Sequence, residues 1–266
     1  MRPRPRPRWR PAACGWPEGS SPARPLVHPP ARRARRGHRL RRHPMRDVLL
    51  VAAKDLRIEL RSRVLLFQVA PFALATLVLF GFALDADRAA LRNFSPGLFW
   101  VAVLLTALLA AQRSVAVECA GRAADALLLS GAVPARIFAG KALALAVQLV
   151  VLEVLLGVAL VVLYDARVEH VGLAAAAAAA ATVGIAAAGT LYGVLAAPLG
   201  VRETLLPVLL LPVFAPVLIG ATRAFGDALG TAAVNGWAWF GLLGLFALVY
   251  AVFGALAYGP LMEAES

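Results

Sequence analysis

Little in this chain is equipped for chemistry. Only two cysteines occur among 266 residues. Cys14 and Cys119 lie in different kinds of segment and match no metal-ligand spacing, so neither a disulfide framework nor a zinc site is supported. Of four histidines, His28, His38 and His43 sit in an arginine-rich N-terminal stretch, and only His170 lies beyond it. A phosphate-binding loop is missing: Gly140-Lys141 is followed by Ala142 and has no glycine five residues earlier. His-Glu-x-x-His, Gly-x-Ser-x-Gly and Cys-x-x-Cys-His are missing too. The chain is therefore expected to be non-catalytic, with no cofactor or metal of its own. Charge is also scarce, at 16% against 61% hydrophobic residues and a mean hydropathy of +0.75. A soluble core does not need that much apolar sequence. The fold class that follows is all-α, a polytopic membrane protein.

The net charge of +12 is confined to one end. Residues 1–44 hold 13 arginines against one acid, Glu18, whereas residues 45–266 hold 14 basic and 14 acidic residues. The stretch 1–44 is rich in Pro and Arg and poor in core-forming residues, so disorder is expected there. It has no apolar run of signal-peptide length. One reading makes it a polybasic arm for anionic lipid or nucleic acid. The preferred one starts translation at Met45, with 1–44 as upstream sequence, and no nucleic-acid partner is expected.

Six spans account for most of what remains. Residues 45–63 read as an amphipathic interfacial helix: at 100° per residue Leu49, Ala53, Leu56 and Leu60 share a narrow arc, with Asp47, Lys54, Arg57 and Arg61 away from it. The six-helix domain then runs over 64–260. Its first span is Val64 to Leu84, kinked at Pro71, and Asp85 to Pro96 is an outer loop. Leu98 to Gln112 is the second span, extending to about Val117. Ile137 to Leu163 is the third, Tyr164 to His170 a short loop, and Val171 to Ala197 the fourth. The fourth carries an unbroken Ala174 to Ala181 and a Gly189-x-x-x-Gly193 pair, small residues that let helices approach closely in lipid and place it centrally. Pro198 to Glu203 is a turn. The fifth span holds Pro207, Pro212 and Pro216, which remove three backbone donors, so it should bend and take partners from neighbours. Arg223 to Asn235 is a loop, and Trp237 to Tyr258 the sixth span, with Trp237, Trp239 and Tyr258 as its aromatic belts. Residues 261–266 form a C-terminal tail. Leaving out 1–44, ten Lys and Arg fall on one side of this arrangement and four (Arg88, Arg92, Arg167, Arg223) on the other, which puts both termini in the cytoplasm.

The long polar interruption, Arg113 to Lys141, is the stretch suited to meet a water-soluble partner. Within it Arg122 to Ser130 makes about two helical turns, with Leu127 and Leu128 near one side and Arg122 and Asp125 on another, stopped by Gly131 and Pro134. A helix this short needs support from its neighbours. Inside the membrane, Glu153 is the one acid well within a span, and an intramembrane charge is a functional candidate by default. The alternative is a packing residue hydrogen-bonded near Gln148.

These residues carry a family resemblance. An interfacial helix, six spans, a coupling segment and no ATPase of its own resemble a permease subunit of the type-2 ABC exporter class. Two stretches resemble the haem exporter B family of cytochrome c maturation, CcmB. One is Glu118 to Lys141, where Ala124, Asp125, Leu127, Leu128, Leu129, Ser130, Ile137, Gly140 and Lys141 match the family pattern and Gly131 replaces its proline. The other is Glu203 to Ala221, Leu-Leu-Pro-x-Leu-Leu-Leu-Pro followed by Pro-Val-Leu-Ile. The resemblance covers about 46–260. It implies a separate ATP-hydrolysing subunit (CcmA-like), a haem-handling membrane protein (CcmC-like), a homodimeric permease, a task in either haem export or haem-chaperone release with haem as a candidate substrate, and ATP used only by the partner. Glu118, Arg122, Asp125, Leu127, Leu128 and Ser130 become the expected ATPase-coupling residues; Glu153, Pro207, Pro212 and Pro216 are the expected functional residues within the membrane. No Trp-rich haem motif or paired histidine accompanies them, and His170 beside Glu169 reads as a solvated residue rather than an axial ligand. A generic exporter for lipid or drug, and a scaffold without transport, are the other readings.

Overall fold

Helices carry every span, as they must where lipid offers the backbone no hydrogen-bond partner. The computed structural model describes residues 44–84, 87–121, 133–196 and 202–264. Seven α-helices occur among them: α1 (Pro44–Ser62), α2 (Ala70–Ala83), α3 (Arg88–Gly121), α4 (Pro134–Tyr164), α5 (Val171–Ala196), α6 (Arg202–Ala228) and α7 (Gly236–Ala264). No strand occurs among the described residues. Helices α3 to α7 are each long and apolar enough to cross a bilayer, and the bent pair Met45–Ser62 and Phe67–Ala83 brings the total to six if it counts as one. The N-terminal stretch 1–43 lies outside the described residues.

Several boundaries differ from the sequence reading, each for a local reason. Pro71 does not kink the middle of a span: it stands in the first turn of α2, after a π-helical turn at Leu65–Val69. The bend lies earlier, at 56° between α1 and α2, where Arg63 adopts a left-handed φ of 56°. Ser62 Oγ and the Arg63 N–H both donate to the Glu59 carbonyl there, at 2.8 and 3.0 Å, which closes α1. Asp85 to Pro96 is not a loop throughout, because α3 begins at Arg88. Asp87 accepts the Ala89 N–H at 3.1 Å as a cap. Pro96 then lacks the N–H that would reach the Arg92 carbonyl, and Ser95 Oγ donates to that carbonyl instead, at 2.7 Å. The far end of α3 continues past Val117 to Gly121. Likewise Arg223 to Ala228 belong to α6, and the connection to α7 is short; α7 itself runs on to Ala264. Tyr258 is no belt residue: it is 1% exposed and its ring lies 5.7 Å from that of Phe138.

Helix α5 is the hub. It packs on α3, α4, α6 and α7, and its small residues are what allow this. A Cβ at Gly193 would lie 2.9 Å from Val115 Cγ2, one at Gly189 3.3 Å from Leu145 Cδ2, and one at Gly184 2.7 Å from the Phe246 ring. Without a hydrophobic force between helices in lipid, such close backbone approach supplies the attraction. Around the hub, Trp100 is fully buried, and Phe99, Trp100 and Phe225 make one aromatic cluster with centroids 5.1 to 5.4 Å apart, joining α3 to α6. The end of the bundle opposite α1 is tied by Tyr164 Oη donating to the Leu77 carbonyl at 2.6 Å and by an Arg92–Asp165 ion pair. In α6, Leu206, Leu210, Phe214, Val217 and Ala221 face inward. Pro207 is half-buried, while Pro212 and Pro216, four residues apart, share the exposed face.

Candidate coupling site and intramembrane acid

Arg122, Asp125, Leu127, Leu128 and Ser130 lie outside the described residues, and Glu118 belongs to α3 with its side chain outside them. What the structure does describe is how the two arms of that segment are held. One arm is the end of α3; the other is the start of α4, where extended Val133 precedes Pro134 at the first helical position, as proline's fixed φ favours.

Helix α1 straps both arms together. Glu59 accepts from Arg113 Nε at 3.0 Å on the α3 side. Asp47 accepts from Arg136 at 2.9 Å on the α4 side. The two acids are 12 residues apart in sequence, about 18 Å along the helix at 1.5 Å per residue. Between the two pairs α1 touches α4 directly: a Cβ on Gly140 would stand 2.6 Å from Val51 Cβ and 2.9 Å from the Val48 carbonyl oxygen. Glycine at 140 is thus a packing requirement. Glu59 is 8% exposed, so its charge is largely removed from water. Such a carboxylate is costly unless paired, and the Arg113 bond offsets that cost.

The helix has three faces as a result. Val51, Ala52 and Glu59 are buried, with Asp47 and Asp55 half-buried beside them; Leu49, Ala53 and Leu60 are exposed, as are Arg46, Arg57 and Arg61. Three residues of the apolar arc in the sequence reading, Leu49, Ala53 and Leu60, point away from the protein, and Leu56 is half-buried. The acids of the helix are the side that docks.

Next to the brace, Lys141 is 5% exposed and lines a cavity of about 10 Å³ with Ser114 and Thr190. Both members of the Gly140-Lys141 pair are therefore buried at the contact of α4 with its neighbours.

Deeper in the bundle, Glu153 is 7% exposed on α4. Its partner is Thr182 of α5, whose Oγ1 donates to Glu153 Oε1 at 2.6 Å and also lies 2.8 Å from the Ala178 carbonyl. Gln148 is not the partner; five residues away on the helix, it stands about 140° around the axis. Glu153 lines a groove of about 670 Å³ between α4 and α5, with Val154, Gly157, Ala174 and Ala178 on its walls and Phe99 and Phe225 at its back. The Gly157 Cβ position meets nothing within 4 Å, so the groove is open there. Pro207, Pro212 and Pro216 lie on α6 and do not line this groove.

The sequence singles out Glu153, and the structure gives it Thr182 as partner; the pairings of Asp47, Glu59, Arg113 and Arg136 were not anticipated. A signal for the brace was there: on a helical wheel Asp47, Asp55 and Glu59 occupy the arc that the bases and the leucines leave empty. Among the described residues, no group of three or more His, Cys, Asp or Glu could hold a metal. Residues 46–264 match the family model described as CcmB protein. No curated protein matches the sequence.

Proposed function

Because the chain belongs to the CcmB family, and so is a membrane component of the cytochrome c maturation haem export system, we propose that it is the permease subunit of an ABC transporter driven by a separate CcmA-like ATPase. The segment around Arg122 to Ser130 is the dock for that ATPase, and α1 with the ends of α3 and α4 is the frame that holds the dock. The observation that carries this reading is the strap, Asp47 to Arg136 and Glu59 to Arg113. A segment between two helices transmits a push only where its flanks are fixed, and these are fixed to each other through α1. Motion of the segment then reaches α3 and α4, and through them the α5 hub.

In this reading the chain performs no catalysis, and ATP is hydrolysed only by the partner. It works as a homodimer beside a CcmC-like haem-handling protein, and haem is the cargo of the system. It lies in the bacterial inner membrane with both termini in the cytoplasm, so α1 is at the cytoplasmic surface. The test is affinity purification of the tagged full chain from its native membrane in mild detergent. An ATP-hydrolysing subunit and a haem protein should co-purify with it; recovery of the chain with neither, from membranes that make mature cytochrome c, would refute the permease reading.

A further inference from the structure

Every acid of α1 is turned toward the protein, so the face left to the surroundings is basic. Asp47 and Glu59 are spent on Arg136 and Arg113, and Asp55 is 3.1 Å from Lys54. Arg46, Arg57 and Arg61 are exposed, and so is Arg63 just beyond the helix; among the described residues these four make no ion pair. At 100° per residue Arg46, Arg57, Arg61 and Lys54 fall within about 80° of one another. Directly beside them runs the exposed apolar stripe, with Leu49 at 55% and Leu60 at 72% exposed. Leu50, 63% exposed, sits among the bases.

We propose that this face is a binding surface for anionic phospholipid of the bilayer, the arginines taking headgroup phosphates while Leu49, Ala53 and Leu60 enter the acyl boundary. The geometry fits such an occupant. α1 leaves the axis of α2 at 56°, so when α2 crosses the membrane α1 leans toward its surface, where a helix with adjoining basic and apolar stripes is at home. The guanidinium fork matches phosphate bidentately. A zwitterionic headgroup neutralises its own phosphate and gains little from four cations. A protein partner would have to cover the leucines as well as the arginines. The inference does not depend on which partner the Arg122 to Ser130 segment meets.

The test places a reporter in the face. Full-length protein carrying Leu50→Trp is reconstituted in phosphatidylcholine vesicles that contain phosphatidylglycerol or phosphatidylcholine brominated near the top of the acyl chains. Quenching in excess of that in protein with Leu50 intact gives the relative affinity of the two lipids at this site. One surface cation contributes about five-fold, so phosphatidylglycerol should be preferred by at least that factor, and the preference should shrink in high salt. In Arg46→Gln, Arg57→Gln, Arg61→Gln the ratio should fall close to one, and in the corresponding triple lysine variant it should persist. If the glutamine triple does not fold, the Arg57→Gln, Arg61→Gln pair should show an intermediate ratio. A ratio near one in the parent, or an unchanged ratio in a folded glutamine variant, overturns the proposal. So does loss of a co-purifying ATPase from the glutamine variant with the lipid ratio intact, which would make the face a protein dock.

Discussion

Adding one methyl group at Gly140 should separate α1 from α4 and disable the strap. The new Cβ would begin 2.6 Å from Val51 Cβ, 2.8 Å from Val51 Cγ1 and 2.9 Å from the Val48 carbonyl oxygen. Carbon atoms rest at about 3.5–4.0 Å, so roughly 1 Å must open between the helices. Neither neighbour can yield cheaply. One is a backbone atom and the other a β-branched side chain with few rotamers. A 1 Å opening lengthens the 2.9 Å Arg136–Asp47 bond beyond hydrogen-bonding range. Overpacking typically costs 1–3 kcal/mol, and the lost charge-assisted bond about 1 kcal/mol more at this partly exposed site. Against that, alanine is favoured over glycine inside a helix by about 1 kcal/mol. The net expectation for Gly140→Ala is destabilisation of about 1–3 kcal/mol. Thermal unfolding of the purified protein in detergent reads it as a lower midpoint, and the same variant should mature less cytochrome c in cells at matched membrane levels. Gly157→Ala is the control, because its Cβ meets nothing within 4 Å. If Gly140→Ala melts and functions like the parent while Gly157→Ala does too, the close approach of α1 and α4 has no role.

Three further outcomes follow from the same geometry. Glu59→Arg and Arg113→Glu should each weaken ATPase association and cytochrome c maturation, and the double swap should restore most of both; single variants that behave like the parent would show that the 3.0 Å pair braces nothing. Thr182→Val removes the donor 2.6 Å from Glu153 and leaves a buried carboxyl short of a partner, so it should destabilise the bundle by about 1–3 kcal/mol, whereas Thr182→Ser should be near neutral; equal melting of the two variants would contradict this. Pro212→Ala with Pro216→Ala should insert and assemble normally yet uncouple ATP hydrolysis from cytochrome c maturation if α6 flexes in each cycle, since the missing donors at these positions soften the helix on its exposed side. Parental cytochrome c levels in that strain would make the prolines static.

How far the sequence could be read depended on the range of the interaction. The spans of α3 to α7 were legible because lipid forces each one to be a continuous apolar helix, whatever its neighbours are. The ends of α3 and α6 were not, because Pro96 and the charges near Arg223 look like breakers. Ser95, by taking over the Arg92 carbonyl, lets the helix pass through the proline. Tyr258 matched a belt by position, yet the Phe138 ring covers it, a contact between helices 120 residues apart in sequence. The candidate site divides in the same way. Glu153 stands out as an acid in an apolar run, but Thr182 is on another helix, and the nearer Gln148 points elsewhere. The brace pairs residues 54 and 89 positions apart, so no local pattern could match them; only the unexplained acidic arc of α1 hinted that something opposed it. Gly140 was legible as part of the family-like motif, and the structure supplies its reason.

In the proposed arrangement Arg122 to Ser130 engages an ATPase while α1, α3 and α4 hold it in place. It is tested most directly by purifying the tagged full chain carrying Asp125→Arg and Leu128→Asp, at parental membrane abundance, and quantifying the ATPase that accompanies it. The charge reversal and the apolar-to-charged change both fall on the proposed dock, and a lost apolar anchor with a misplaced charge costs several kcal/mol of binding. Association at least about a hundred-fold weaker is expected, with the bundle's melting temperature unchanged. Full recovery of the ATPase with this variant would contradict it.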